Sequence, residues 1–569
     1  VSSLTGPSTF DWSSSRVTGR ATRGVPQQEL IAANAAARPE WSGSSSTLVT
    51  TGSPVTASPA VYGATWVEGS SPSALDKLFF GVNGSSGITG GVYTSTGAPT
   101  TATGANFFAL TNLYAGSGSP VLAWSATLSS GGIDRTGISL SPDATKVYAL
   151  DTSGVLHCLT TATGAACSTW STYAAACAVH GSSPWVSYST GDLYFGDDCG
   201  WAYHISGSTG TAIWKVQPGA SASFQTKFES SPVVVNGYVY IGDDYGQLFR
   251  LTDSGPPVAN TSTVAVFDVC SAIGQTAPCP NGFPSGSGPW AIRAPIAFDT
   301  TGEHAYVVAN DYVFELNGNG GNWAQTASSP KHLQSGVNGT TNGPMSSSAV
   351  LDYTNKYLYA ALNSRLFKIA YPFTGSATAG VYTAALAEGT GTANPIADPL
   401  PYNSVTYVGD IAGYTERFDC TTSPGANAVD GVTANVGSSI SASGVLDYST
   451  GNVNFGVTTS SGGGLMQWPL AVSAYTCPSG TKLCSSANSG LASACVAAGG
   501  SNYGEACRAC CTNADCSGAT PVCASGGTCV SGCTGGPGAA GSCTTTSQPN
   551  TSVTCSAATG GTCVYSCNS

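Results

Sequence analysis

Charge is scarce in this chain. Only 8% of its 569 residues are Asp, Glu, Lys or Arg, too few for a fold built on helices with salt-bridged outer faces. Basic runs are absent, and the net charge is -12 with a pI near 4.7. That balance excludes nucleic acid or an anionic membrane as the main partner, because both attract proteins through clustered Lys and Arg. No apolar run is long enough to cross a bilayer, so membrane insertion is not expected. No secretory leader is visible, which reads as a mature N-terminus. From Cys477 onward there is no Phe, Trp, Ile or Met, so a hydrophobic core cannot hold that segment and cross-links must.

What is abundant completes the picture. Gly numbers 73 and hydrophobic residues make up 41%, a composition suited to many short strands joined by tight turns. There are 21 cysteines, of which 14 lie between Cys477 and Cys567. Such density marks an oxidising compartment, and a secreted protein of a bacterial surface is expected. The chain divides into an N-terminal arm at 1–38, a repeat region at 39–472 and a disulfide-rich module at 473–569.

The repeat is clearest at Ser230 to Leu251, SSPVVVNGYVYIGDDYGQLFRL. Two apolar runs meet at Asn-Gly, and a Gly-Asp-Asp-Tyr-Gly turn leads into a third, which predicts an antiparallel meander. A small residue followed by an aromatic marks the second strand. It recurs at Leu78-Phe79, Val147-Tyr148, Leu193-Tyr194, Val239-Tyr240, Ala305-Tyr306, Leu358-Tyr359 and Thr406-Tyr407, then as Val453-Asn454. The spacings are 69, 46, 46, 66, 53, 48 and 47. The two long ones hold loop insertions, one at 84–104 and one beginning at Cys270. A period in the forties with about four strands per unit predicts an all-β propeller of eight blades, or of seven with one irregular insertion. Trp41 precedes Pro59 of the Ser58-Pro59 that opens the first full blade by the same 18 residues that separate Trp214 from Pro232. Trp41 is therefore read as the ring-closing position, with closure between the Glu40–Ser45 segment and the region of Met466.

Gly-Asp-Asp-Cys-Gly at 196–200 with Thr209-Gly210 and Trp214, Gly-Asp-Asp-Tyr-Gly at 242–246, and Asp151 to Gly154 with Thr163-Gly164 and Trp170 resemble the repeats of the pyrroloquinoline-quinone-type (PQQ-like) propeller family. The resemblance spans roughly 41–470 and implies the fold. A working quinoprotein of that family carries vicinal cysteines in its funnel, whereas the vicinal pair here, Cys510-Cys511, lies in the tail. No Cys-x-x-Cys-His haem motif occurs. The tail from Cys511 to Cys533 resembles small cysteine-rich modules of secreted myxobacterial proteins.

No catalytic or cofactor-binding constellation can be read from spacing. Asp197-Asp198 and Asp243-Asp244 suit strand-connecting turns better than a Ca2+ site. The five histidines are isolated, and no cofactor is expected. Disulfide candidates are Cys158 with Cys167 across a turn, Cys177 with Cys199 between units, Cys270 with Cys279 closing a loop, and Cys420, for which Cys477 or a free thiol are both open. Arg16, Arg20 and Arg23 make the arm mildly basic against an acidic remainder, the pattern of an assembly arm. These features favour a non-enzymatic structural or binding protein that self-associates through arm or tail, as a filament subunit or an adhesin. The alternatives are a quinoprotein-like oxidoreductase or a polysaccharide lyase or hydrolase with its site in the axial funnel, and a module that binds a polysaccharide or a cell-surface protein.

Overall fold

In the computed structural model, residues 46–469 are described apart from connecting segments, of which 63–76, 275–289, 334–346 and 386–397 are the longest; beyond 469 only short strands are described. Among the described residues the one helix is a single turn, Val269–Ala272, and the rest of the regular structure is strand.

The sheet at 233–268 shows how the repeat folds. Its strands Val233–Val235, Tyr238–Gly242, Gln247–Thr252 and Ala265–Asp268 pair antiparallel in sequence order. Asn236 and Gly237 join the first two with φ of 51° and 79°, the doubly left-handed turn that matches strand twist in a two-residue hairpin. The same meander recurs at 139–174, 185–216, 297–325, 350–385 and 400–432. A ten-stranded sheet joins the 60–126 meander to the last one, at 445–469, whose fourth strand is Ser46–Thr51.

First strands of neighbouring sheets touch one another: Ser139–Leu140 meets Trp185–Val186, and Val350–Asp352 meets both Ala297–Phe298 and Leu400–Tyr402. Ala60–Tyr62 likewise meets Val445–Asp447, which brings the two ends of the series together. Sheets set face to face around an axis lined by their first strands make a β-propeller.

Period-2 alternation explains why the second strand carries a small residue and then an aromatic. Successive side chains point into different inter-sheet layers. Leu193 packs with Tyr148 toward the preceding sheet, while Tyr194 packs with Val239 and Ile241 of the following one. Tyr240 and Ala305 share the next layer, then Tyr306 and Leu358 the one after. In the last sheet Asn454 takes the aromatic position, fully buried, with Gln467 Nε2 3.4 Å from its Oδ1. The outer strands add a second tie. The indole N–H groups of Trp124, Trp170 and Trp214 donate to the carbonyls of Thr161, Gly207 and Asp253 in the next sheet, at 3.0–3.1 Å. Gly164 and Gly210 lie against Trp124 and Trp170, where an added Cβ would come within 2.6 and 2.4 Å of the indole.

The structure differs from the sequence reading in two places. The insertion at 84–104 is not all loop: Ile88–Tyr93 and Pro99–Ala102 form a hairpin whose first strand pairs with Ser46–Thr51 and bridges Tyr93 to Val121. It thereby covers the outer edge that the closing strand would otherwise expose. The strand that pairs with Gly462–Pro469 is Ser46–Thr51, with Thr47 opposite Met466, and so follows the Glu40–Ser45 segment. In the tail, Val496–Ala497 pairs with Val381–Ala385, adding a strand to the outer edge of that sheet.

Candidate functional site

Asp151, Asp197 and Asp243 open the turn between second and third strands of three consecutive sheets, and all three are fully buried. Each Oδ1 accepts backbone amides from the residues two and four positions on: Ser153 and Val155, Cys199 and Trp201, Tyr245 and Gln247. Gly154, Gly200 and Gly246 complete the turns at φ of 85°, 78° and 75°, a region that only glycine enters freely. The second oxygen looks to the residue six positions on. For Asp151 it meets His157 Nε2 at 2.7 Å, and for Asp197 the Tyr203 hydroxyl at 2.7 Å. The corresponding residue after Asp243 is Phe249, and Asp243 Oδ2 is buried without a hydrogen bond.

The electrostatics follow from those partners. Burial works to raise the Asp151 carboxyl, but hydrogen bonds from His157, Ser153 and Val155 outweigh it and hold it at about 2. Asp243 is pushed well above the usual carboxylate range by burial, and its amide donors only partly offset this. A raised folded-state pKa contributes stability below the unfolded value and loses it as pH rises. Phe249→Tyr, which would place a hydroxyl where Tyr203 has one, is therefore expected to stabilise the protein by about 1 kcal/mol at neutral pH. The gain should fade in acid, as the pH drops below the raised value at which the buried Asp243 takes up its proton in the folded protein. Urea titrations at neutral and acid pH check this, and a gain that persists in acid would show that Asp243 is not its source.

The approach to each first strand builds the mouth of the axis. An apolar residue lies over a glycine that ends the second strand of the preceding sheet: Ile133 on Gly81, Phe228 on Gly196, Ile292 on Gly242 and Ile440 on Gly409. A Cβ on any of those glycines would come within 2.4 Å of its partner, so the close approach requires glycine. Below it, hydroxyls tie sheet to sheet around the axis. Gly137 N donates to Ser183 Oγ, Ser183 N to Ser231 Oγ at 2.8 Å, and Ser230 Oγ to the Ala294 carbonyl at 3.0 Å. Further round, Ser348 N donates to Asp398 Oδ1. All these serines are completely buried.

The residues that follow Ile133, the buried Val179, Phe228 and Ile292 are Asp134, His180, Glu229 and Arg293, on the approaches to successive sheets. His180 Nδ1 lies 2.6 Å from Asp198 Oδ2, and Lys227 Nζ lies 3.5 Å from the same oxygen and 3.9 Å from Glu229 Oε1. Arg293 Nε reaches Glu229 Oε2 at 2.7 Å, and Thr56 Oγ1 donates to Asp134 Oδ1 at 3.0 Å. Lys227 N donates to Asp244 Oδ1, whose carboxyl burial raises. This rim of charge is the candidate site.

No protein-family model and no curated protein matches this chain. Many solved structures resemble it, among them the two that follow. BamB from Moraxella catarrhalis aligns with 13% identity and a TM-score of 0.40, over 61% of this chain and 86% of that one. Sqt1 of Saccharomyces cerevisiae aligns with 11% identity and a TM-score of 0.49, over 75% of this chain and all of that one. The fold assignment rests on the strand pairing described above.

Of the residues singled out in the sequence, Cys158 is bonded to Cys167 and Cys177 to Cys199, with Cα atoms 5.5 and 5.9 Å apart. The first bond spans the hairpin from the third strand of its sheet. The second anchors the Asp197 turn to the chain arriving from the sheet before. Cys270 is also disulfide-bonded. Cys279, Cys420, Cys477, Arg16, Arg20, Arg23 and Trp41 lie outside the described residues.

The spacing of the sequence did not reveal a second cluster of charge, around Glu315. This carboxylate is 1% exposed. It accepts from the Tyr306 hydroxyl at 2.9 Å, Thr326 Oγ1 at 2.7 Å and Phe373 N at 3.1 Å, with His304 Nδ1 at 3.3 Å. Lys331, fully buried, donates to the Thr374 and Ser376 carbonyls at 2.7 and 2.8 Å. The one available signal was a Glu inside the apolar strand Tyr312–Asn317.

Proposed function

We propose that the chain is a non-enzymatic scaffold of a bacterial cell surface: an eight-bladed ring carrying an arm and a disulfide-stapled tail, and working as a filament subunit or adhesin. The observation that carries this reading is how the polar groups near the axis are used. The buried serines bond from one sheet to the next, and the charged rim above them is engaged in ion pairs that cross the same boundaries. Such ties rigidify a ring. Two bonded cysteine pairs in the described ring, a net acidic chain and 14 cysteines in the tail suit a protein that persists outside the cell. The count of eight is supported by the eight four-stranded runs and by the contact of Ala60–Tyr62 with Val445–Asp447. A heterologous contact that does not close on itself builds a filament, and the basic arm against an acidic ring would supply one. Electron microscopy of the secreted protein tests this. Ordered polymers are expected, and they should disappear when residues 1–38 are deleted; discrete particles in both preparations would overturn the reading.

One observation favours an enzymatic alternative. The His180 side chain is 44% exposed, is backed by Asp198, and has no hydrogen bond at Nε2 among the described residues, the arrangement of a general base. Turnover of a polysaccharide by the wild type but not by His180→Gln would favour that alternative over the scaffold.

A further inference from the structure

The sheets of the ring end in fourth strands whose outer edges lie farthest from the axis, and these strands differ in how the edge is protected. An open edge presents unpaired amides and carbonyls to any extended chain. Proteins blunt it by keeping the strand short, by placing a charge on it or by covering it. Thr172–Ala174 and Ala324–Gln325 are short, with three and two residues. Ala212–Val216, Ala265–Asp268 and Val429–Val432 carry Lys215, Asp268 and Asp430. The remaining three, Val121–Ala126, Ser46–Thr51 and Val381–Ala385, have five or six residues and no charge. Among the described residues these three fourth strands, and no others, have a further strand paired to their outer edge.

The covering strands have different origins. The hairpin of Ile88–Tyr93 and Pro99–Ala102 serves the first two, by pairing with Ser46–Thr51 and bridging Tyr93 to Val121. It is inserted between strands of the 60–126 sheet, so the ring holds it at both ends. Val381–Ala385 is covered instead by Val496–Ala497, with Tyr382 opposite Ala497 and Thr383 opposite Val496. That strand belongs to the tail and pairs with two of the five residues it faces. Residues 470–495 join it to the last strand of the ring, which ends at Pro469. Such a connection reaches at most about 90 Å, whereas a domain the size of the ring has a radius of gyration of about 22 Å. The tether is therefore long enough for a neighbouring ring as well as its own.

We infer that the outer edge of the 350–385 sheet is a strand-docking site whose partner in assembly is the Val496–Ala497 strand of a second copy, a proposal that rests on the filament reading. The same segment from another chain offers the edge the same backbone groups in the same register, so exchange costs no complementarity. Main-chain hydrogen bonds carry the contact, and neither strand brings a charge that opposes it. In dilute solution each chain keeps its own strand, because the tether gives that strand a high local concentration; closely packed chains lose this advantage. Each copy then gives a strand to one neighbour and accepts one from another, a head-to-tail contact that propagates.

Photo-cross-linking on the full chain tests the exchange. Benzoylphenylalanine replaces Thr383, and an equal mixture of isotope-labelled and unlabelled chains is concentrated, illuminated and digested. Cross-links from position 383 to the peptide holding Val496 should join like-labelled peptides in dilute solution and should include mixed pairs in the associated fraction. Thr383→Lys, which gives this edge the kind of charge that Lys215 gives the 185–216 sheet, should weaken association by about tenfold and leave the thermal midpoint in place. Like-labelled pairs alone in the associated fraction, or a Lys variant that associates as the wild type does, would overturn the inference. Polymers that vanish on deletion of residues 1–38 yet show no mixed pairs would leave the filament reading standing and remove this contact from it. Discrete particles at every concentration would remove both.

Discussion

Glu315→Ala is expected to lower stability by about 4 kcal/mol, near the upper end for a single substitution, because it orphans a buried donor set. The carboxylate serves the Tyr306 hydroxyl, Thr326 Oγ1 and the Phe373 amide together. Phe373 belongs to the chain that follows the third strand of the next sheet, so the loss falls on a sheet boundary as well as within one. Tyr306 is completely buried, so its hydroxyl has no solvent to turn to. Glu315→Gln keeps one acceptor oxygen and the shape, and should cost about half as much. Denaturant midpoints of the two variants against the wild type provide the check. Equal losses would mean that packing, and not the hydrogen bonds, is what Glu315 contributes.

Trp170→Ala should be nearly as damaging, about 4 kcal/mol, through a different mechanism. The indole is 8% exposed, stacks on Tyr148 with ring centres 5.9 Å apart and donates to the Gly207 carbonyl at 3.0 Å. It also rests on the bare Cα of Gly210, so no side chain is available to fill the space it leaves. Trp170→Phe retains most of the apolar area and loses the N–H bond, for an expected cost of about 1 kcal/mol. Hydrogen exchange should place the Ala defect at the boundary between the 139–174 and 185–216 sheets. A protein that tolerates Ala with a loss below about 1 kcal/mol would show that the Trp ties are decoration and that the inner strands hold the ring.

Much of the second-strand pattern was legible, and the reason is period-2 geometry. A strand packed on both faces between two sheets needs a residue for each layer, so Leu193-Tyr194 or Val239-Tyr240 announces itself locally. The Asn236-Gly237 turn and the Asp-x-x-Gly turns were legible for the same reason, since each solves a backbone problem within five residues. The hairpin at 88–102 was not. Its strands read ITGGVY and PTTA, with little apolar alternation, and its first strand finds a partner in Ser46–Thr51, some forty residues away. Glu315 was missed because one acid in an apolar strand is a local inconsistency, and only the convergence of Thr326 and Phe373 on it explains why it is there.

The mouth of the ring marks the boundary between the two kinds of information most clearly. The chain by itself determined that Ser-Pro begins a meander, that aspartate opens the turn after the second strand, and that glycine precedes or follows it, because those choices are set by dihedral angles and nearest neighbours. It held Asp134, His180, Glu229 and Arg293 at positions more than forty residues apart, with nothing between them to suggest an order. Rotation about a common axis decided that order. Equivalent positions of successive sheets are carried to the same radius and height, so residues remote in the chain become neighbours in a circle. Charge can then alternate across boundaries that no local pattern encodes.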